Sequence, residues 1–448
     1  MTAVLTAVGR WDSELATALE ASRQVRIARR CADLADLLAT AGAGLGAAAV
    51  VSDELRGLDL SAVARLRAVG LRVVGLSAPG EEASERRLRQ LGITTVVPAG
   101  SPLALLESAL LHAGAAPRPE DSLDDELDRG DFDRGGFDGD GWPDDGLAQN
   151  GWRVGGEDVP PEIDDEPRSP GRVVAVWGPT GAPGRTTVAV NIAAELAGFG
   201  VPTVLVDADT YGGSVAQALS LLDEGPGLVA AARAADQGTL DLPTLARLSP
   251  QVAGGMRVIT GIPKAERWPE IRPAALERVL QLARSLAQVV VVDCGFNLED
   301  DEELSYDTMA PRRNAATLTT LSLADEVLAI GACDPVGLQR LVRGLQELGT
   351  VAAPPPRVIV NRVRSGSVGP RPENRVTEAL SRFAGVERVE FVPDDPRALD
   401  TAMREGRTLA ECAPASPARS ALRTLATSVS GAPVLEPGRG RSRRRGRR

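Results

Sequence analysis

Residues 172–196 read RVVAVWGPTGAPGRTTVAVNIAAEL. The run 173–177 is apolar throughout, the pattern of a strand buried on both faces of a parallel sheet. Gly, Pro and Thr follow, and over 188–196 apolar residues recur at helical spacing. A strand, a glycine loop and a helix opening on two threonines is the layout of a phosphate-binding loop. Successive backbone N–H groups then turn toward one anion, and the helix N-terminus adds its positive end. Gly181 and Gly184 have no side chain to hold an anion away. The standard spacing is G-x-x-x-x-G-K-[ST]. Here Gly184, Arg185 and Thr186 fill the last three places, with Arg for Lys, while Pro179 lies five positions before Gly184 and Gly178 one step earlier. On this stretch alone, a strand–turn–helix without a ligand stays open.

The 448 residues suggest two or three domains. Apolar residues make up 43% and aromatics only 3%, which favours α/β layers packed with Ala, Val and Leu. A net charge of −11 argues against a chain that binds nucleic acid over its whole surface, although the C-terminus is strongly basic. Cys31, Cys294, Cys333 and Cys412 are far apart and have no metal spacing, which fits a reducing cytoplasm. His112 lies on an Ala/Leu-rich helix and reads as an ordinary surface residue. No signal peptide or long apolar span is apparent, so the expectation is a soluble, cytoplasmic protein. Lys264 is the sole lysine, so a general drift from Lys to Arg accounts for some arginines without a functional reason.

Residues 1–114 read as repeated strand–helix units. Strands are predicted at 3–8, 25–27, 47–51, 71–76 and 93–97, and helices at 12–21, 31–40, 60–69, 81–91 and 103–112. Such alternation implies a small parallel sheet with helices on both faces. The layout resembles a response-regulator receiver domain. A receiver carries an acidic pair after its first strand, a phosphoacceptor Asp after the third and a Lys after the fifth. Asp53 matches the acceptor position, but Gly9 and Arg10 follow the first strand and Pro98, Ala99 and Gly100 follow the fifth. Without the acids Mg²⁺ has little to bind, so phosphoryl transfer to Asp53 should be poor. The expectation is a docking or dimerisation module in which Asp53 is an ordinary loop or cap residue.

Over 115–170 Asp and Glu crowd together with Gly and Pro, and no apolar period survives. Such a segment buries too little surface to offset chain entropy and reads as a disordered acidic linker. Its Asp/Gly runs do not hold calcium-loop spacing, and Phe132, Phe137, Trp142 and Trp152 suggest a partner-docking motif.

The second domain is placed at 171–430. A strand at 203–206 runs into Asp207, Ala208 and Asp209, and another at 288–292 runs into Asp293. Further strands are expected at 256–260, 326–330, 358–360 and 389–392. Pro273 opens a helix with Leu276, Val279, Leu280, Ala283 and Leu286 on one face. Carboxylates at the carboxyl ends of parallel strands stand where such sheets bind ligands, although a strand-end Asp is often just a turn or cap residue. Beside a phosphate loop, Thr186 is placed to offer its hydroxyl to Mg²⁺. Asp293 ends the kind of strand that holds a metal-bound water in P-loop enzymes, and Asp209 is placed to orient an attacking water.

TGAPGRTTVAVNIAAELA, VLVDADTYGG, VVVDCG, ADEVLAIG, VIVNRV and VPDDPRAL together resemble the ParA/MinD group of deviant P-loop ATPases over most of 171–430. With a receiver-like domain and a linker ahead of it, the chain is similar to the CpaE/TadZ branch, which localises and helps assemble Flp/Tad-type pili. The resemblance implies an α/β P-loop sheet that binds ATP and Mg²⁺ and dimerises with nucleotide. It implies phosphate contact along Thr180, Gly181, Ala182, Pro183, Gly184, Arg185, Thr186 and Thr187, and adenine contacts from Asn361 and Pro393. Metal duties fall on Thr186, Asp207 and Asp293, and catalytic duties on Asp209 and Arg185.

Departures limit the carry-over. The family's signature Lys, which reaches across the dimer to the partner's phosphates, falls on Thr180, and its loop Lys falls on Arg185. Arg keeps the charge and grips phosphate in a fork, but it is not a point charge. The second switch, Asp293-Cys294-Gly295-Phe296, lacks the usual prolines. ATP binding with slow or absent turnover is the expectation. The basic tail 431–448 ends in RGRSRRRGRR from Arg439, a dense Arg cluster with no apolar residues. It reads as solvated, as attracted to DNA or anionic lipid at the inner membrane face, or as folding back on the acidic linker. The leading function is a positioning switch for a pilus or secretion machine. A ParA-like partition factor and a nucleotide-dead scaffold are the alternatives.

Overall fold

The computed structural model describes residues 1–112, 170–181, 183–221, 225–300 and 311–430. The expectations for the linker and its aromatics, for the basic tail and for Ala182 lie outside the described residues, Pro170 apart.

The first lobe is a parallel sheet in the order β2-β1-β3-β4-β5, built from β1 (Thr2–Ala7), β2 (Val25–Arg30), β3 (Ala48–Ser52), β4 (Arg72–Ser77) and β5 (Thr95–Pro98). Helices cover both faces: Leu15, Leu19, Leu106 and Leu110 bury one, and Leu37, Leu66 and Leu88 bury the other. The predicted helix at 31–40 starts only at Leu34. Asp33 caps it, accepting from the Asp36 N–H at 2.8 Å.

The second lobe is a seven-stranded parallel sheet: β6 (Arg172–Trp177), β7 (Thr203–Ala208), β8 (Arg257–Ile259), β9 (Val289–Cys294), β10 (Glu326–Ala332), β11 (Arg357–Val363) and β12 (Val389–Pro393). Their order is β12-β11-β10-β6-β9-β7-β8, so β6 is central, between β10 and β9. Strand alternation assigns its side chains: Val173, Ala175 and Trp177 enter one core, Val174 and Val176 the other. Here β7 and β9 run past the predicted ends, so Asp207 and Asp293 lie inside the ladder as paired neighbours. The apolar face read on the helix Pro273–Leu286 is buried at Leu276, Val279, Leu280 and Ala283, with Leu286 packed at its edge.

The helix after the loop, Arg185–Gly198, is buried all round from Val188 to Leu196. The helix Pro417–Ser430 covers its outer side, and Glu195, only 3% exposed, is held there by Arg419 at 2.6 Å and Arg423 at 3.6 Å. A buried carboxylate needs such partners. The lobes belong to one compact unit and touch along the helix Leu60–Ala68. Arg272 pairs with Asp59 at 2.8 Å, the Ser61 hydroxyl donates to Asp236 at 3.3 Å, and Arg87 donates to the Gln237 carbonyl at 3.3 Å. No local pattern in residues 1–114 signals that this face of the first lobe is spent within the chain. Among the described residues no helix is long and apolar enough to cross a membrane.

Candidate functional site

Trp177, the last residue of β6, is fully buried, and its indole N–H donates to the Phe296 carbonyl at 3.2 Å. The chain then turns through Gly181 (φ +104°) and Gly184 (φ +101°), conformations that favour glycine. A Cβ on Gly184 would lie 2.3 Å from Asn361 Nδ2, so only glycine fits. The helix starts at Arg185, and its first turn leaves N–H groups without intrahelical partners, pointed along the axis into the loop.

Asp293 is wholly buried. Its Oδ2 accepts from Thr186 Oγ1 at 2.6 Å, while its Oδ1 has no hydrogen-bond partner. Asp207, on the neighbouring strand, accepts from the N–H groups of Asp209 (3.2 Å) and Val215 (3.1 Å). Glycines close around it: a Cβ on Gly261 or Gly213 would meet its carboxylate at 2.7 or 2.9 Å. Burial pushes Asp207 up to about 7, with Asp209 adding in the same direction. Burial, then the charge of Asp207, raises Asp293 well above the usual carboxylate range. Two carboxylates side by side in a dry site favour a shared cation. Among the described residues no three Asp, Glu, His or Cys groups form a metal cage. Magnesium, however, is held by one or two protein groups plus substrate phosphates. The open Asp293 Oδ1 beside the Thr186 hydroxyl fits that pattern.

Arg185 folds back over the loop. Its Nη1 donates to the carbonyls of Gly178 (3.1 Å) and Pro179 (3.3 Å), and its Nη2 pairs with Asp209 at 3.2 Å. The pair is nearly dry, with side chains 12% and 5% exposed, and Arg185 Nε has no partner. The cation is therefore already in the loop, but Asp209 neutralises it. An anion entering the loop would have to compete with Asp209 for the same fork.

Asp209 also fixes its own turn, accepting from the N–H groups of Tyr211 (2.9 Å) and Gly212 (3.1 Å). Tyr211 donates to Asn314 at 2.7 Å, its ring meets Phe296 at 4.8 Å, and Arg313 stacks on it at 3.8 Å while donating to Thr210. The turns after β7 and β9 are thus clamped together, with Asn314 and Arg313 as members that no sequence motif singled out.

Other predicted residues fall as follows. Thr180 is exposed at the loop mouth, and Thr187 accepts from Asn191 Nδ2 at 2.8 Å. Asn361 is buried and donates to the Pro183 carbonyl at 2.9 Å, while its Oδ1 accepts the Arg362 N–H at 2.8 Å. The amide thus anchors the phosphate loop to β11. A cleft of about 280 Å³ opens from Gly184, Arg185, Thr186 and Thr187 and is walled by Val190, Arg362, Leu399, Met403 and Arg407. Neither Asn361 nor Pro393 lines it. Pro393 ends β12, and Asp394 N–H donates to the Val363 carbonyl at 3.1 Å. Arg362 sits at φ +57°, a conformation no sequence pattern signalled.

The corresponding edge of the first lobe differs. Arg10 pairs with Glu54 at 2.6 Å and stacks on Trp11, and the Asp53 backbone carbonyl accepts from Arg87. Asp53 Oδ1 is buried without a partner, and neither Gly9 nor Arg10 offers it a carboxylate neighbour after β1. His112 is exposed, and the four cysteines are free thiols.

Comparison with known proteins places this geometry. Residues 174–408, just over half the chain, match the CobQ/CobB/MinD/ParA nucleotide binding domain family. An uncharacterized ATP-binding protein of Methanocaldococcus jannaschii is 25% identical over 263 residues, 58% of this chain and 88% of that protein. The antiactivator FleN of Pseudomonas aeruginosa is 26% identical over 278 residues, 60% of this chain and 90% of that protein. Among solved structures, a ParA family ATPase from Chlorobium tepidum aligns with TM-score 0.48 at 17% identity, covering 57% of this chain and 98% of that one.

Proposed function

This chain belongs to the CobQ/CobB/MinD/ParA nucleotide-binding family, and we propose that it is an ATP- and Mg²⁺-binding switch with weak hydrolysis. It dimerises with nucleotide and positions a CpaE/TadZ-type pilus or secretion machine. The observation that carries the nucleotide reading is the Thr186–Asp293 pair: a buried carboxylate with one oxygen open, at the start of a helix whose free N–H groups face a glycine loop.

Bound ATP·Mg²⁺ supplies a cleavable phosphoanhydride and a divalent charge. The chain's own residues do the rest. Gly181 and Gly184 let the backbone approach the phosphates, and Thr186 and Asp293 hold the metal side. Asp207 adds negative charge next to Asp293. Arg185 leaves Asp209 to grip phosphate, and Asp209, thus released, orients water. Because the released Asp209 also anchors the Tyr211 turn, nucleotide binding moves the turns after β7 and β9 together. Arg in place of Lys at 185 and Thr at 180 keep turnover low.

The positioning role rests on the first lobe. Its receiver-like strand order, with Gly9 and Arg10 where acids would sit, suits a protein-contact module better than a phosphorylated one. Isothermal titration of the full chain with ATP and Mg²⁺ tests the nucleotide reading, and light scattering tests the dimer. Micromolar binding with a doubled mass is the expected result. Neither heat nor thermal stabilisation would leave a scaffold without nucleotide.

A further inference from the structure

Helix Pro335–Leu348 rests directly on the phosphate loop. A Cβ on Gly344 would meet Trp177 and Pro179 at 3.0 and 3.1 Å, so the helix backbone lies against the start of the loop. One turn earlier on the same face stands Arg340. Its guanidinium lies on the loop backbone at Gly181: a Cβ there would be 2.1 Å from Arg340 Nη1. Glycine at 181 is favoured by its φ of +104°, and a Cβ there would also push this flexible guanidinium aside.

Three facts make this placement more than packing. Arg340 is exposed and makes no hydrogen bond or ion pair with any described residue. Arg185, the loop's own cation, is neutralised by Asp209. The mouth residue Thr180 brings no charge, and Lys264, the sole lysine, pairs at 3.9 Å with Glu266. An exposed guanidinium at the rim of a glycine loop, without a partner among the described residues, is a ready phosphate ligand, with a flat fork of N–H donors.

We propose that Arg340 is a phosphate-binding residue of the nucleotide site, reaching from the helix Pro335–Leu348 over Gly181 to the terminal phosphates of a nucleoside triphosphate bound on its own chain's loop. This rests on the nucleotide reading above. It assigns the missing mouth charge to a residue far from the loop in the sequence. It also makes the charge selective: a residue at the rim touches the outermost phosphates and does not reach the single phosphate of a monophosphate.

Titration of the full chain with ATP, ADP and AMP, each with Mg²⁺, tests it in wild type, Arg340→Ala, Arg340→Lys and Arg343→Ala. Arg343 lies on the same helix, is exposed, and is not among the atoms nearest a Cβ on Gly181. Arg340→Ala should weaken ATP about tenfold, as loss of one charge-assisted contact does, and leave AMP unchanged. Arg340→Lys should recover part of the loss, and Arg343→Ala should match wild type. Unchanged ATP affinity in Arg340→Ala overturns the proposal while leaving the nucleotide reading intact. An equal loss for all three nucleotides also overturns it, since that marks a structural role. A wild-type chain that binds none of them overturns both.

Discussion

The two sheets of this protein are built alike and equipped differently. Both are parallel with helices on both faces, and in both a glycine and an arginine lie beyond the first strand: Gly9 and Arg10 after β1, Gly184 and Arg185 after β6. In the first lobe Gly9 is in open space and Arg10 reaches an exposed glutamate, Glu54. In the second, Gly184 is pressed against Asn361, Arg185 is locked in a nearly dry pair with Asp209, and Asp207 and Asp293 lie side by side in the ladder. The fold offers the same edge twice. The difference lies in the strand ends, which in the second lobe bring two carboxylates, Asp207 and Asp293, together in a dry ladder.

Matched substitutions test this contrast. Gly184→Ala combines backbone strain with a collision at Asn361 and should cost about 2–4 kcal/mol, read as a lowered Tm with loss of nucleotide binding. Gly9→Ala meets nothing and should cost only about 1 kcal/mol, from its positive φ. Equal costs would mean that the loop is not under the constraint its geometry implies.

Arg185→Ala removes the loop's fork and should weaken ATP about a hundredfold, whereas Arg10→Ala should change it by less than about twofold. An unchanged affinity for Arg185→Ala would show that Asp209 never releases the guanidinium.

The buried acids set the pH behaviour. Asp207 binds its proton more tightly in the folded chain (about 7) than in the unfolded one (3.8). The native state thus holds the extra proton over that range, and stability falls as pH rises from about 4 to about 7. Asp293, raised too, and Asp236, raised to about 6 mainly by burial at the lobe contact, add the same sign. Calorimetric Tm against pH should show this fall, and Asp207→Asn should make it shallower. A profile that rises over the same range would contradict the buried pair.

The smallest effect belongs to Asp53. It stands alone at its strand end, so Asp53→Asn should leave nucleotide affinity within about twofold of wild type. A larger change would mean that the first lobe's edge communicates with the loop, for which Arg87, donating to the carbonyls of both Asp53 and Gln237, offers a direct route.

Much of the fold was legible because apolar periodicity is a local property. The run at 173–177 and the helix opened by Pro273 emerged where their patterns placed them, and the five strand–helix units did so to within a few residues, the second helix starting at Leu34. Strand ends were less legible. Asp207 and Asp293 read as residues just beyond their strands, yet the ladder includes them, because pairing to a neighbouring strand does not depend on side-chain polarity.

For the site, the sequence alone determined the inventory: a glycine loop opening a helix, Thr186, and acids at 207, 209 and 293, because each is set by local spacing and residue type. Tertiary structure decided what those groups do to one another. It turned Arg185 inward to Asp209 and spent Asn361 on the Pro183 carbonyl. It also walled the cleft with Arg362 and Met403 and brought Arg340 onto Gly181. These pairings join residues far apart in the chain. Their partners follow from strand order and close packing, which no local pattern encodes.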